Sequence, residues 1–322
     1  MLGEPLDQRR TLSDEPGASS DMPGITHVMG PKALPTVASD PQNSTRPGDP
    51  VSSNPGDCRA TVPKWFAEQT GLLVVGHGTR DPAGVRSFLE LTQMTRLRLP
   101  GTMLAPAFLE FVEPTIEQGV ENLVRAGVTQ IVVVPVMLLA GNHTRRDIPN
   151  IVDAAVAHCT GVNVRQTAHL GCSPHVVNLS AQRLREAIDG SFPTERSTAV
   201  LLVGRGSRER EALREISQFA QLSMSNDPET CRDVCFLSLS RPSLDEAIAL
   251  AASWPQRRIV VQPHLLFPGV LFDRLVRDVG IAERDYPAKQ WIVAQPLGPE
   301  RLLADAVAQL YLSRLGRHST ED

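Results

Sequence analysis

The 322-residue sequence has little of what marks several large classes of protein. Its aromatic content is 4%, and its net charge of −4 with a pI near 6.1 offers no attraction to nucleic acid or to an anionic membrane. No apolar run reaches the roughly 18 residues that a membrane-spanning helix needs. The residues that follow Met1 lack the basic and apolar parts of a secretory signal. We therefore expect a protein without nucleic-acid or membrane partners.

Cysteine is also scarce, and its positions (58, 159, 172, 231 and 235) follow no regular spacing. An odd number of cysteines without a secretory signal is typical of reduced thiols in a cytoplasmic protein. Cys231 and Cys235 lack the two-residue spacing of zinc and redox pairs. We expect both to be small buried hydrophobes in a strand.

The chain changes character near residue 70. Residues 1–64 are rich in Pro, Gly, Ser and Asp without a hydrophobic period, which predicts a disordered leader. From Gly71 onward, short apolar runs alternate with longer amphipathic segments. The runs predict strands at residues 72–75, 103–110, 130–138, 162–170, 199–203, 234–240, 259–266 and 291–294. The amphipathic segments predict helices at residues 84–97, 115–126, 147–158, 174–188, 210–222, 242–252, 271–279 and 299–315.

This alternation predicts an α/β fold. Nearly continuous apolar strands, such as residues 131–134, are typical of parallel sheets that are covered on both faces. We therefore predict two tandem, duplicated, doubly wound parallel-sheet domains facing a central cleft, at residues 71–190 and 197–316. The linker is placed at residues 190–197, where Gly190, Pro193 and Thr194 break the helical pattern.

The two halves repeat with a constant offset. Gly76-His77-Gly78-Thr79-Arg80 follows one apolar run, and Gly204-Arg205-Gly206-Ser207-Arg208 follows another, 128 residues later. The same offset pairs His77 with Arg205, Glu110 with Ser238, Glu113 with Arg241, and His143 with Leu271. The first half thus carries the imidazoles and carboxylates, and the second half lacks them at the same positions. This asymmetry predicts one active site on a two-domain scaffold.

The predicted fold locates that site. In open parallel sheets, ligands bind beyond the carboxyl ends of the strands. His77 and His143 lie in glycine-bearing loops that follow strands, and Glu110 and Glu113 lie at the end of another strand. Two imidazoles with a nearby carboxylate form an open site for a borderline divalent metal.

Four motifs carry a resemblance to a known family. Gly76-His77-Gly78-Thr79-Arg80-Asp81-Pro82, then residues 108–114, then residues 138–149 and finally Leu170-Gly171 are similar to the sirohydrochlorin chelatases. These class II chelatases insert Co²⁺ or Fe²⁺ into a tetrapyrrole on the routes to cobalamin and sirohaem. The resemblance covers most of the chain from about residue 71 to residue 315.

The resemblance implies a role for each residue of the first half. It implies that His77 and His143 bind the incoming metal and accept pyrrole protons, and that Glu110 or Glu113 assists. It implies sirohydrochlorin and a divalent metal as substrates, with no permanent cofactor. The choice between cobalt and iron, and between the two glutamates, stays open. The second half departs at all four positions, so we assign it no metal ligand.

Arginines surround the predicted site, and sirohydrochlorin carries many peripheral carboxylates. The planar fork of arginine is well suited to bind a carboxylate. The candidates for gripping the substrate are Arg80, Arg145, Arg205, Arg208 and Arg241, with Arg146 and Arg274 nearby. We hypothesise that the second half has been converted from metal handling to holding the anionic macrocycle. The alternative is that these arginines are surface charges or form salt bridges between domains.

Two other functions compete. A non-catalytic carrier of a tetrapyrrole or a metal would use the same two domains, since fold alone does not imply catalysis. A histidine phosphatase also has a histidine–glycine pair after its first strand, but it needs an arginine next to the histidine, and here Gly76 precedes His77. His264, inside an apolar strand, is expected to be a core residue with its hydrogen bonds satisfied.

Overall fold

A computed structural model of the chain describes residues 69–189, 198–224 and 231–316. The predicted leader and the predicted linker therefore lie outside the described residues. All of the described residues belong to one compact unit, Asp57–Asp322. Within those residues, no helix combines the length and apolarity that crossing a membrane requires.

The described residues form two four-stranded sheets, and all of the paired strands are parallel. The first sheet has the order β2-β1-β3-β4 and the second has the order β6-β5-β7-β8. The strands are β1 (Thr70–Gly76), β2 (Met103–Phe108), β3 (Gln130–Pro135), β4 (Asn163–Gln166), β5 (Thr198–Gly204), β6 (Cys231–Phe236), β7 (Arg258–Pro263) and β8 (Gln290–Val293). The predicted duplicated parallel fold is confirmed.

Helices cover both faces of each sheet. They are α1 (Pro82–Arg98), α2 (Ile116–Arg125), α3 (Ile148–Val156), α4 (Pro174–Asp189), α5 (Arg210–Met224), α6 (Leu244–Ala252), α7 (Val270–Asp285) and α8 (Arg301–Gly316). A π-helical turn, His143–Asp147, precedes α3. The helix predicted at residues 147–158 therefore begins after this turn, and five predicted strands (103–110, 130–138, 162–170, 234–240 and 259–266) end two to four residues early. The residues beyond the end of each of these strands belong to the loop that follows it.

The two halves match in backbone detail. Gly78 and Gly206 have φ values of 91° and 90°, in the left-handed region that glycine tolerates best. A Cβ at Gly78 would lie 1.9 Å from the carbonyl oxygen of Glu110, and a Cβ at Gly206 would lie 1.7 Å from that of Ser238. Both positions therefore require glycine, and the turn after the first strand of each sheet has one geometry.

The start of a helix is also duplicated. The side chains of Thr115 and Gln118 form a capping box at the start of α2, and those of Ser243 and Glu246 form one at the start of α6. Each box satisfies two backbone N–H groups that a helix start leaves without partners. The two halves thus share local interactions that build the backbone, although their candidate functional side chains differ.

The last helix of each repeat packs against the sheet of the other repeat. On α8, Val307 and Tyr311 share a core with Leu72 of β1, and the Tyr311 hydroxyl donates to the carbonyl of Thr70 at 3.4 Å. Conversely, Leu184 of α4 packs with residues of β5 and β7. One hydrophobic core therefore runs through both sheets, and the two domains hold each other in place. Cys235 is fully buried in β6, as predicted, and its burial raises the pKa of its thiol to about 12.

Candidate active site

The structure brings the two predicted histidines together. His77 directly follows β1, and His143 follows β3, the neighbouring strand in the sheet. The strand order reverses between β1 and β3, and ligands of open α/β sheets bind at such a switch point. The centroids of the two rings are 4.9 Å apart, and their planes cross at 86°. Both imidazoles therefore face the same small volume.

Each histidine has its Nδ1 atom engaged in a hydrogen bond. The Nδ1 atom of His77 lies 3.2 Å from the carbonyl oxygen of Gly78, and that of His143 lies 2.7 Å from Oδ2 of Asp147. A carbonyl and a carboxylate can only accept, so each Nδ1 donates in the neutral imidazole and Nε2 keeps its lone pair. Asp147 lies in the motif at residues 138–149, but the sequence did not predict a role for it; its position four residues after His143, on one helical turn, is the signal that could have found it.

His77 is held neutral by its surroundings. Burial lowers the pKa of His77 most, and it outweighs the hydrogen bond to Gly78, which raises it. The charges of His143 and Arg205 lower the pKa further, while that of Glu110 raises it. A neutral imidazole is the form that binds a metal and accepts a proton.

The two predicted acids lie on one loop beside the histidines. The backbone N–H of Glu110 donates to the carbonyl of His77 at 3.0 Å, and its carboxylate acts electrostatically on that imidazole. Glu113 lies three residues further along the loop, and both side chains are exposed to solvent. Of the two acids, Glu110 is therefore the one whose charge acts on the pKa of His77.

Phe111 is a residue of this site that the sequence did not reveal. It has a φ of 71°, which is uncommon outside glycine, and its side chain is 52% exposed. Its ring lies 6.2 Å from that of His77, and the guanidinium carbon of Arg80 lies 4.8 Å from its centroid. An apolar ring held out into solvent beside the histidines is a surface on which a planar ligand can stack.

A cavity of about 460 Å³ opens between the two domains at this site. The first domain contributes His77, Phe88 and Phe108, and the second contributes Arg205, Ser238 and residues 265–272. The walls are mainly apolar, with an imidazole on one side and a guanidinium on the other. This arrangement suits a ligand that is apolar in its body and anionic at its edge.

The predicted arginines divide into two groups. Arg205 lies in the cleft, and Arg80 and Arg208 are exposed. In contrast, Arg145 forms ion pairs with Glu211 and, at 4.0 Å, with Glu209 of the second domain. Arg241 is exposed and pairs with Glu246 of its own domain. In this structure, Arg145 and Arg241 therefore form salt bridges, which is the alternative to substrate binding.

His264 is buried as predicted, but its expected hydrogen bonds are missing. Its ring packs 4.2 Å from that of Phe219, and within the described residues neither ring nitrogen has a hydrogen-bond partner. The expectation of a satisfied histidine is wrong, because β7 ends one residue earlier and the side chain meets a phenylalanine. Burial lowers the pKa of His264 to about 4, although the charge of Glu215 opposes this shift.

No cluster of three or more potential metal ligands occurs in the part of the chain that the structure describes. The pair of His77 and His143 is therefore an open arrangement rather than a closed cage. Tetrahedral structural zinc sites use four protein ligands, which leave no position for exchange. Two imidazoles can bind a metal and release it.

Comparisons with known proteins agree with this architecture. The family model CbiX matches the chain twice, at residues 71–187 and 199–313. The chain belongs to the CbiX family. The two matches correspond to the two sheets described above, so each sheet with its loops is one copy of the CbiX unit.

Members with assigned activities are similar over most of the chain. The sirohydrochlorin ferrochelatase of Priestia megaterium is 30% identical over 227 residues, which cover 70% of this chain and 84% of that protein. The sirohydrochlorin cobaltochelatase of the same organism is 29% identical over 205 residues, covering 63% and 66%. The iron enzyme and the cobalt enzyme thus have nearly the same identity to this chain, so identity does not separate the two metals.

A solved structure shares the arrangement of both domains. SirB from Bacillus subtilis with Fe³⁺ superposes with a TM-score of 0.70 at 25% identity, covering 79% of this chain and 98% of that one. The same fold is found in the SirB chelatase from Bacillus subtilis subspecies spizizenii in complex with cobalt, with a TM-score of 0.66 and 23% identity.

Proposed function

We propose that this protein is a sirohydrochlorin chelatase, which inserts Co²⁺ or Fe²⁺ into sirohydrochlorin. The observation that carries this proposal is the meeting of His77 and His143 at the switch point of one sheet, beside the cleft. Membership of the CbiX family and the names of its similar members support it. The metal is a substrate that passes through the site, and we propose no permanent cofactor.

Metal insertion requires a divalent ion that is held loosely and two pyrrole protons that are removed. Imidazole nitrogen binds both Fe²⁺ and Co²⁺, and two such ligands leave positions open to the macrocycle. As the metal transfers, two pyrrole N–H bonds break and metal–nitrogen bonds to the macrocycle form. The Nε2 lone pairs that the metal leaves on His77 and His143 then accept the protons. Glu110, which is coupled to His77, or Glu113 relays a proton to solvent.

The substrate is held by charge and by apolar contact. We propose that Arg205, opposite His77 across the cleft, binds a peripheral carboxylate of the macrocycle. Arg80, whose guanidinium lies over Phe111, and Arg208 are both exposed, and we propose that they add further contacts. Arg145 and Arg241 would have to leave their glutamate partners first, so we rank them after Arg205.

Turnover separates a chelatase from a carrier. The purified protein would be mixed anaerobically with sirohydrochlorin and an excess of Co²⁺ or Fe²⁺, while the absorbance of the macrocycle is followed. A chelatase converts many equivalents of macrocycle, and His77→Ala or His143→Ala abolishes the conversion. One equivalent converted or bound per protein, with no further turnover, would favour the carrier. The ratio of the two rates assigns the metal.

A further inference from the structure

The loop that carries His143 is held in place by the second domain. The carboxylate of Glu215, on α5, accepts the backbone N–H of Ala140 at 2.6 Å. The carboxylate of Glu209, which precedes α5, accepts the backbone N–H of Asn142 at 3.0 Å. Both hydrogen bonds link the second domain to this loop, at positions within three residues of His143.

A third contact lies on the other side of the histidine. The guanidinium of Arg145 forms an ion pair with Glu211, in the first turn of α5. Contacts at residues 140, 142 and 145 thus fix the loop both before and after His143. Exposed ion pairs contribute little to stability, so the two backbone hydrogen bonds are the stronger constraint.

Glu209 acts as a cap for the turn that contains the histidine. Asn142 occupies the N-cap position of the π-helical turn, and its own side chain makes no capping hydrogen bond. The first N–H groups of any helical segment lack partners within that segment. A carboxylate at such an end accepts a hydrogen bond and also interacts favourably with the helix dipole. Here the carboxylate comes from the opposite domain.

Glu215 is itself rigidly placed. Its other oxygen forms a 2.6 Å hydrogen bond with Nε2 of His169, and its side chain is 18% exposed. Burial alone would raise the pKa of Glu215, but the hydrogen bonds from His169 and Ala140 outweigh it, and the pKa is lowered. Glu215 is therefore an ionised, oriented acceptor at neutral pH.

The corresponding contacts in the other direction lack such glutamates. With the offset of 128 residues, Glu209 and Glu215 correspond to Asp81 and Ser87 around the start of α1. Asp81 accepts the N–H of Ala83 at 2.8 Å, and the Ser87 hydroxyl donates to the carbonyl of Ala83 at 2.9 Å. Both side chains therefore hydrogen-bond within their own helix, although Oδ2 of Asp81 also lies near Gly269, 3.5 Å from where its Cβ would be.

The loop that α1 faces also differs. A Cβ at Gly84 of α1 would lie 3.2 Å from the carbonyl oxygen of Pro268, so the two segments are in contact. Pro268 corresponds to Ala140, and proline has no N–H to donate. The N–H group that Glu215 accepts therefore has no counterpart at Pro268, whereas Val270, which corresponds to Asn142, keeps its N–H but faces Asp81 in place of a glutamate.

We propose that Glu209 and Glu215 are positioning residues, which hold the His143 loop so that Nε2 of His143 stays directed at the metal beside His77. The inference rests on the proposed role of His143 as a metal ligand, and it assigns the second domain a task in metal binding as well as in substrate binding. Partners that orient metal-binding residues affect metal affinity by about 10-fold to 100-fold when they are removed.

Cobalt binding to the full-length protein tests this proposal without the macrocycle. Co²⁺ would be titrated into the wild type and into Glu209→Ala, Glu215→Ala and His143→Ala, and the visible absorption of bound cobalt recorded. We expect each glutamate variant to bind Co²⁺ about tenfold more weakly, with an altered spectrum. Glu209→Gln, which retains an acceptor oxygen, should restore most of the affinity. Glu121→Ala, which removes an exposed glutamate on α2, should change neither property.

A double-mutant cycle decides whether the glutamates act through the histidine. In the His143→Ala background, adding Glu209→Ala or Glu215→Ala should weaken binding by less than about twofold. Full additivity, or wild-type cobalt binding by both glutamate variants, overturns the positioning role and leaves the proposed function standing. Unchanged cobalt binding by His143→Ala itself overturns the ligand role and the inference together. Glu209 is partly exposed, so Glu209→Ala carries the test if Glu215→Ala fails to fold.

Discussion

The two domains share a backbone and differ in what their loops carry. The turns after β1 and β5 have the same left-handed glycines, and α2 and α6 begin with the same kind of capping box. Yet the first turn presents His77 and the second presents Arg205. The comparison shows that local hydrogen bonds and glycine turns maintain the frame, while the side chains at the strand ends are free to change.

The comparison also shows that the domain without histidines does more than cover a cleft. It supplies Arg205 and most of the apolar wall of the cavity, and its glutamates contact the His143 loop. The exchange of α4 and α8 ties these contributions together, because each sheet packs against a helix of the other repeat. Substitutions in one domain are therefore expected to affect the structure of the other.

The largest effect is expected when the first domain is given the residues of the second. His77→Arg and His143→Leu should each lower the rate of metallation by at least about a hundredfold, because a ligand and a proton acceptor are lost. The rate would be measured with sirohydrochlorin and Co²⁺. His158→Leu, which removes an exposed histidine of the same domain, should leave it unchanged. A His143→Leu variant with the wild-type rate would contradict the assignment of the site.

The shared frame is tested at its two turns. Gly78→Ala and Gly206→Ala should each lower the free energy of unfolding by about 2 to 3 kcal/mol, since alanine disfavours the left-handed region and its Cβ meets a carbonyl oxygen. Urea denaturation of both variants provides the measurement. Gly127→Ala is the control, because Gly127 has a φ of 85° and nothing within 4 Å of an added Cβ. A loss at Gly78 no larger than that at Gly127 would show that the close contact has no energetic cost.

Most of the features compared above, the strands and the positions of the two histidines, could be predicted from the sequence. Alternating apolar runs located the eight strands of the described residues, and the glycine-bearing loops placed His77 and His143 after strands of the first half, which are neighbours in the sheet. Strand identity is encoded locally, by buried Val, Leu and Ile, and the carboxyl ends of parallel strands must lie at one edge. These features follow from short-range pattern and topology alone.

The contacts between distant parts of the chain could not be predicted from the sequence. The apolar face of α8 does not specify which of two sheets it covers, so the exchange of helices had no signal. Glu209, just before α5, and Glu215, in its second turn, are typical of the solvated start of a helix, and only the fold shows that they contact the other domain. The positive φ of Phe111 is likewise imposed by its loop, since phenylalanine itself disfavours that region.

A smaller effect distinguishes the cores of the two sheets. His264 stands where the first sheet has Val136, and its lowered pKa of about 4 means that the unfolded chain takes up this proton first as pH falls from 6.5 towards 4. Protonation in that window therefore favours unfolding. We expect the wild type to lose about 2 kcal/mol more stability than His264→Val between pH 7.5 and pH 5. Urea denaturation at both pH values measures the difference; equal losses would show that His264 ionises alike in both states.

The smallest effect concerns the arginines that replaced the acids and imidazoles. Arg205 lies in the cleft, whereas Arg241 is exposed and already paired with Glu246. Arg205→Ala should raise the KM for sirohydrochlorin about tenfold, because a charge-assisted hydrogen bond is lost, with little change in kcat. Arg241→Ala should raise it less than about twofold, since an exposed pair contributes little. Steady-state kinetics at saturating Co²⁺ measure both constants. An unchanged KM for Arg205→Ala would contradict the hypothesis that the second domain binds the carboxylates of the macrocycle through Arg205. Equal increases in KM for both variants would show that Arg241 leaves Glu246 to bind the substrate.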